Sequence, residues 1–91
     1  MTTEQEKKPY TIQFKRSAER ELRKIGSRDL ARMTNAIDAL ASNPRPPGVQ
    51  KLADVEAYRV RQGDHRIVYT IDDARKIVEV IKIGHRREVY R

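Results

Sequence analysis

Arg59, Arg61 and Arg66 fall within YRVRQGDHRIVY, and His85, Arg86, Arg87 and Tyr90 within GHRREVYR. The first stretch reads as two strands joined by a Gly-containing turn, so alternate residues share a face. Arg59 and Arg61 then lie opposite Tyr58 and Val60. In the next strand Arg66, Val68 and Thr70 share a face, and Ile67, Tyr69 and Ile71 share the other. Packing Val60, Ile67, Tyr69 and Ile71 inward crowds three arginines on the other side of the hairpin. Cations at close range repel one another unless an anion or a carboxylate joins them. The plainer alternative is an exposed sheet face on which the arginines pair with Asp64, Asp72 or Glu79. Several arginines with a His and a Tyr, and no metal ligands, suit cleavage of RNA. There a 2′-OH attacks the adjacent phosphate; one proton is removed, another is donated, and charge on phosphorus is stabilised. Histidine is the side chain suited by type to carry protons near neutrality, and His85 is the candidate proton carrier. The plainer readings are a turn histidine for His85 and an aromatic packed over the sheet edge for Tyr90.

The elements that must hold these residues follow from periodicity. Residues 1–8 are polar and read as a frayed tail. YTIQF, residues 10–14, alternates as a half-buried strand does. Ser17 is placed to cap a helix whose apolar stripe is Ala18, Leu22 and Ile25. Gly26 is placed to end it in a left-handed conformation. A second helix starts near Ser27 or Arg28, with Leu30, Met33, Ile37 and Leu40 at helical spacing, and stops at Asn43 before Pro44. PRPPGVQKL, residues 44–52, reads as a loop. Strands follow over residues 58–61, 65–71 and 76–83, the last apolar on both sides and therefore central. Gly84 is expected to break it and turn the chain toward the terminal HRREVYR. The architecture is α+β: an N-terminal strand, a two-helix hairpin, then three antiparallel strands in a mostly antiparallel sheet.

Composition bounds the rest. Ninety-one residues make a single domain with a small core. Twenty Lys and Arg against thirteen Asp and Glu give a net charge of +7, which attracts polyanions or an acidic protein. There are no cysteines and two histidines, so neither a disulfide framework nor a zinc site is expected, and no cofactor is implied. Four Tyr, one Phe and no Trp are too few for a stacking platform. No apolar run reaches membrane-span length, and MTTEQEKKPY is too polar for a signal peptide. The chain is expected to be soluble and cytoplasmic.

YRVRQGDHRIVY and GHRREVY, in that order and at that separation, together with YTIQF and KRSAERELRKIG, resemble the RelE-type toxins of the RelE/ParE superfamily. The resemblance spans nearly the whole chain. It implies a compact fold like that of small microbial ribonucleases and a ribosome-dependent endonuclease that cuts mRNA in the A site. It implies the ribosome, mRNA and a cognate RelB-type antitoxin as partners, with operator DNA reached only through the antitoxin complex. It places the phosphate-binding role on Arg59, Arg61, Arg66 and Arg86, and base stacking or orientation on Tyr90.

Well-known members carry lysines where this chain has Arg59 and Arg61. A lysine can lose its proton among neighbouring cations, whereas an arginine effectively cannot. A lysine's role as general base therefore does not transfer. Tyr90, His85 or the ribosome itself are the substitutes. Two other function classes compete: a ParE-like toxin that poisons DNA gyrase without cutting RNA, and an inert relative that only binds its antitoxin and operator DNA. The full basic set with Tyr90 favours the endonuclease, because gyrase inhibitors of the superfamily generally lack it.

Overall fold

The structure is a computed structural model and describes residues 9–85. The elements are β1 (Thr11–Phe14), α1 (Arg16–Arg23), α2 (Ser27–Ala39), β2 (Gln50–Lys51), β3 (Tyr58–Gln62), β4 (His65–Asp72) and β5 (Ile77–His85). They build the expected α+β fold around one sheet in the order β1-β5-β4-β3-β2. β2 to β5 are antiparallel neighbours, and β1 joins the outer edge of β5 in parallel. The two helices carry the chain from β1 and cover one face of the sheet.

That face holds the core. Ala18 from α1 and Met33, Ile37 and Leu40 from α2 and its C-terminal turn meet Ile67, Tyr69, Val78, Val80 and Ile83 from β4 and β5. The stripes read at helical spacing are thus the buried ones, with Leu22, Ile25 and Ala36 partly buried beside them. Tyr69 is wholly buried, and its hydroxyl donates to the Pro44 carbonyl at 2.7 Å. Burial is the main reason its phenol is pushed up to about 12.

A polar cluster closes the end of the sheet beyond Tyr69. Arg45 spans Asp73 with two bonds of 3.2 and 2.9 Å, and its guanidinium lies 5.4 Å from the Tyr58 ring centre. Tyr10 donates to the same Asp73 carboxylate at 2.5 Å. The Arg45 bonds, then the Tyr10 bond, hold the Asp73 carboxyl down at about 2. These contacts tie the loop after α2 to the β4–β5 turn and to the start of β1.

Several local expectations are corrected. Ser17 is not the cap of α1: Lys15 holds that position without a side-chain bond, and Ser17 sits inside the first turn. Gly26 is not left-handed; at φ −61° and ψ 155° it is the extended residue that opens α2. α2 ends at Ala39 rather than Asn43, because the next three residues tighten into i to i−3 bonds, Leu40 to Ile37, Ala41 to Asp38 and Ser42 to Ala39. The loop 44–52 contains the short strand β2. Gly84 does not break β5; it lies within the strand opposite Arg66, and pairing continues to His85.

The Tyr69 bond yields a stability prediction. Tyr69→Phe leaves a carbonyl without its donor and should cost roughly 1–3 kcal/mol in urea unfolding at pH 7. The raised phenol pKa favours the protonated, folded form, so its stabilisation is full below pH 10 and is lost as pH rises through about 12. Alkaline unfolding of Tyr69→Phe should be the shallower of the two. An unchanged urea midpoint and the same alkaline slope would show that the bond contributes nothing.

Candidate phosphate-binding site

The β3–β4 register decides which side chains meet. Tyr58 pairs with Tyr69, Val60 with Ile67, Arg59 with Val68 and Arg61 with Arg66. Residues directly opposite on neighbouring strands share a face. Tyr58, Val60, Ile67 and Tyr69 therefore face the helices, and Arg59, Arg61 and Arg66 face the other way, as alternation predicts. The hairpin closes through two residues, Gly63 and Asp64. Gly63 has φ +61°, which suits the first position of such a turn and favours glycine.

The three arginines line a cleft of about 240 Å³ together with Gly48 and Gln50. Their settings differ. Arg61 is exposed and Arg59 half-buried, whereas Arg66 is only 6 % exposed, the one buried charged residue among those described. A guanidinium keeps its charge when buried, and it needs hydrogen-bond partners there. One Arg66 Nη1 contact reaches the His65 carbonyl at 3.5 Å. Arg59 Nη2 donates to Gln50 Oε1 across the β2–β3 pair. The arrangement sets permanent positive charge around a cleft on the face away from the core, which is chemistry for an anion such as a phosphodiester.

β5 adds to this face in a way that alternation missed. A bulge between the Val68 and Tyr69 positions leaves Ile81 unmatched, because Val68 pairs with Lys82 but Tyr69 pairs with Val80. The extra residue reverses the alternation. Val78, Val80 and Ile83 can then all face the helices, and Lys82 and Gly84 face the side of Arg59 and Arg66. Lys82 lies in one cross-strand row with Arg59, with Val68 between them. Gly84 brings no side chain beside Arg66. Gln50 and Gly48 were also missed, since nothing in a Pro/Gly-rich loop marks a two-residue strand.

His85 is not brought together with the arginines. It pairs with His65, and the two rings stand edge to face with centroids 5.8 Å apart. Both belong to the face of Ile67 and Ile83, opposite the arginine cleft. His65 further lines a polar pocket with Glu21, Lys24 and Asp29 from the helix ends. Arg86 and Tyr90 lie outside the described residues. Among the described residues no group of three His, Asp or Glu comes together as metal ligands, and no helix is long and apolar enough to cross a membrane.

Comparisons with known proteins identify the family and its fold. The family model of the ParE toxin of the type II toxin–antitoxin system parDE matches residues 12–90. The chain belongs to the RelE/ParE toxin superfamily. Within it the chain is a RelE-type toxin of a type II toxin–antitoxin system. It is 32 % identical to toxin RelG of Mycobacterium tuberculosis over 85 residues, covering 91 % of this chain and 98 % of that one. The structure matches the toxin–antitoxin complex RelBE2 of the same organism with a TM-score of 0.76 at 29 % identity, over 85 % of this chain and 98 % of that chain. It matches isolated E. coli RelE with a TM-score of 0.75 at 27 % identity, over 89 % and 90 % of the two chains.

Arg61 and Arg66 stand directly opposite each other, and like charges so placed destabilise a strand pair. The toxin should therefore gain stability from an anion. Polyphosphate should raise the urea midpoint of the wild type. Arg61→Ala should raise the midpoint without any ligand and blunt the response to polyphosphate. A clear loss of stability in Arg61→Ala without ligand would mean that the pair is not repulsive.

Proposed function

We propose that this toxin is a ribosome-dependent mRNA endonuclease that cuts in the A site by attack of a 2′-OH on the adjacent phosphate. The observation that carries the reading is the arginine cleft, with three permanent cations around one cavity on the face away from the core. In this reading Arg59, Arg61 and Arg66 bind the scissile phosphate and stabilise the charge that builds on it. Arg86 and Tyr90 take the roles implied by the resemblance, a further phosphate contact and a stacking surface for the base. The relatives named RelE and RelG toxins support a ribonuclease toxin.

The reaction balances without a cofactor. The 2′-oxygen forms a bond to phosphorus as its proton leaves, and the bond from phosphorus to the 5′-oxygen breaks as that oxygen takes up a proton. The products are a cyclic 2′,3′-phosphate and a 5′-hydroxyl. Arginines stabilise the pentacoordinate phosphorus but do not move these protons. Neither proton is routed through His85, because a proton carrier must come within hydrogen-bond reach, or within one water, of the reacting atoms. Tyr90 or ribosomal groups carry the transfers.

The partners of the relatives extend the reading. Solved RelE structures include complexes with RelB. A cognate RelB-type antitoxin should cover the present toxin too, and operator DNA should be reached only through that complex. A chain with a net charge of +7 suits an acidic inhibitory segment. Such an assembly would work in the cytoplasm, where ribosomes and mRNA are.

A second reading has its own support, since the matching family model is that of ParE. A ParE-like toxin would arrest DNA gyrase and leave mRNA intact. Primer extension on a defined mRNA, with and without translating ribosomes, separates the two. The endonuclease reading expects cuts within the coding region that require ribosomes, and Arg61→Ala should slow them by about 10²-fold, the usual loss when one preorganised charge donor is removed. Growth arrest without cuts under any condition would establish the gyrase-directed reading instead.

A further inference from the structure

Gln50 is one of the two residues of β2, the outermost strand beyond β3. It stands directly opposite Arg59, and its Oε1 accepts from Arg59 Nη2. It also lines the arginine cleft, as the neutral polar side chain beside three cations. Its chemistry fits a support rather than a counter-ion. An amide oxygen takes one guanidinium N–H without cancelling its charge, so the other donors remain charged. A carboxylate at the same place would hold the arginine more tightly but would neutralise it.

From this contact we infer that Gln50 is the positioning residue for Arg59: it orients that guanidinium toward a phosphodiester in the cleft and leaves its charge available. The inference rests on the endonuclease reading for its consequence, and on the Gln50–Arg59 contact for its geometry. An unsupported arginine samples many rotamers, and ordering it on binding costs about 0.5–1.5 kcal/mol. Gln50 meets part of that cost in advance. β2 is short, so its place at the sheet edge serves to bring this amide and Gly48 to the rim of the cleft.

The test has two arms on the full chain. The first reads the order of the Arg59 side-chain N–H by NMR relaxation in the wild type and in Gln50→Ala. Its order parameter should be clearly lower in the variant than in the wild type. The second reads single-turnover cleavage of a defined mRNA on programmed ribosomes for the wild type, Gln50→Ala and Gln50→Glu, each with Arg59 intact and with Arg59→Ala. Gln50→Ala should slow cleavage by about five- to tenfold and Gln50→Glu by clearly more, because the carboxylate withdraws the Arg59 charge. In the Arg59→Ala background both substitutions should change the rate by less than about twofold. A merely structural role for β2 predicts equal losses for Ala and Glu that persist without Arg59, and that result would overturn the inference. So would an Arg59 side chain equally ordered in Gln50→Ala. Loss of Arg59 order without loss of rate would also overturn it, leaving the endonuclease reading intact. A wild type that cuts nothing while Arg59 is ordered by Gln50 would defeat the endonuclease reading, and the catalytic purpose assigned to Gln50 with it.

Discussion

The register of the β3–β4 hairpin is the constraint on which the rest of the molecule depends. Its pairs set Val60 against Ile67 and Tyr58 against Tyr69 on one face, and Arg61 against Arg66 on the other. A slip of one residue would exchange the faces, sending guanidinium groups into the helices and the Tyr69 ring into the cleft. Two features hold the register. The two-residue turn at Gly63 fixes the loop length, and the buried Tyr69 hydroxyl is fastened to Pro44. The same hydrophobic pressure that builds the core therefore aims the charges. Core and site are two faces of one ladder.

That coupling explains why so small a domain tolerates the cleft. Arg66 is nearly buried, and its cross-strand partner carries the same charge. The other face of the same sheet, covered by the helices, carries the apolar core, with Ala18, Met33, Ile37, Leu40, Ile67, Tyr69, Val78, Val80 and Ile83 in one cluster. The bulge at Ile81 contributes to both sides. It lets Val78, Val80 and Ile83 face the helices together, and it turns Lys82 and the side-chain-free Gly84 toward the arginines. A strand without the bulge would have to give up one of these two arrangements. Arg45 and Asp73 pin the loop that leads to β2, so the segment that carries the rim of the cleft is tied to the β4–β5 turn.

How much of this could be read in the sequence follows the range of the signal. Alternation is local and strong, so the grouping of Arg59, Arg61 and Arg66 and the burial of Ile67 and Tyr69 were legible. Helical stripes were legible for the same reason, from Ala18 to Leu40. The end of each helix was not, because Ser17 and Gly26 are residues of several uses: Ser17 sits in a first turn, and Gly26 opens a helix rather than closing one. The side taken by β5 was hidden, since its run of Ile and Val is apolar in both phases and a single unmatched residue reverses the count. That reversal also governs His85. Grouped with the arginines by nearness in the chain, it stands across the sheet from them because it pairs with His65. Gln50 had no local signal, because its place depends on a partner nine residues away.

A cleft built on arginine differs in kind from one built on lysine. Lysine at the strand positions could serve as both charge and base, and its occupancy would then vary with pH. Arginine, by contrast, effectively never gives up its proton in a protein and offers charge without a base. In the proposed endonuclease reading, binding and proton transfer are thereby separated, the first assigned to the hairpin and the second to groups that approach it. Separation places a stricter demand on geometry, since a group arriving from elsewhere must meet a phosphate already fixed in position. A buried Arg66 and an Arg59 tethered to Gln50 are the kind of rigid support that such a division of labour requires.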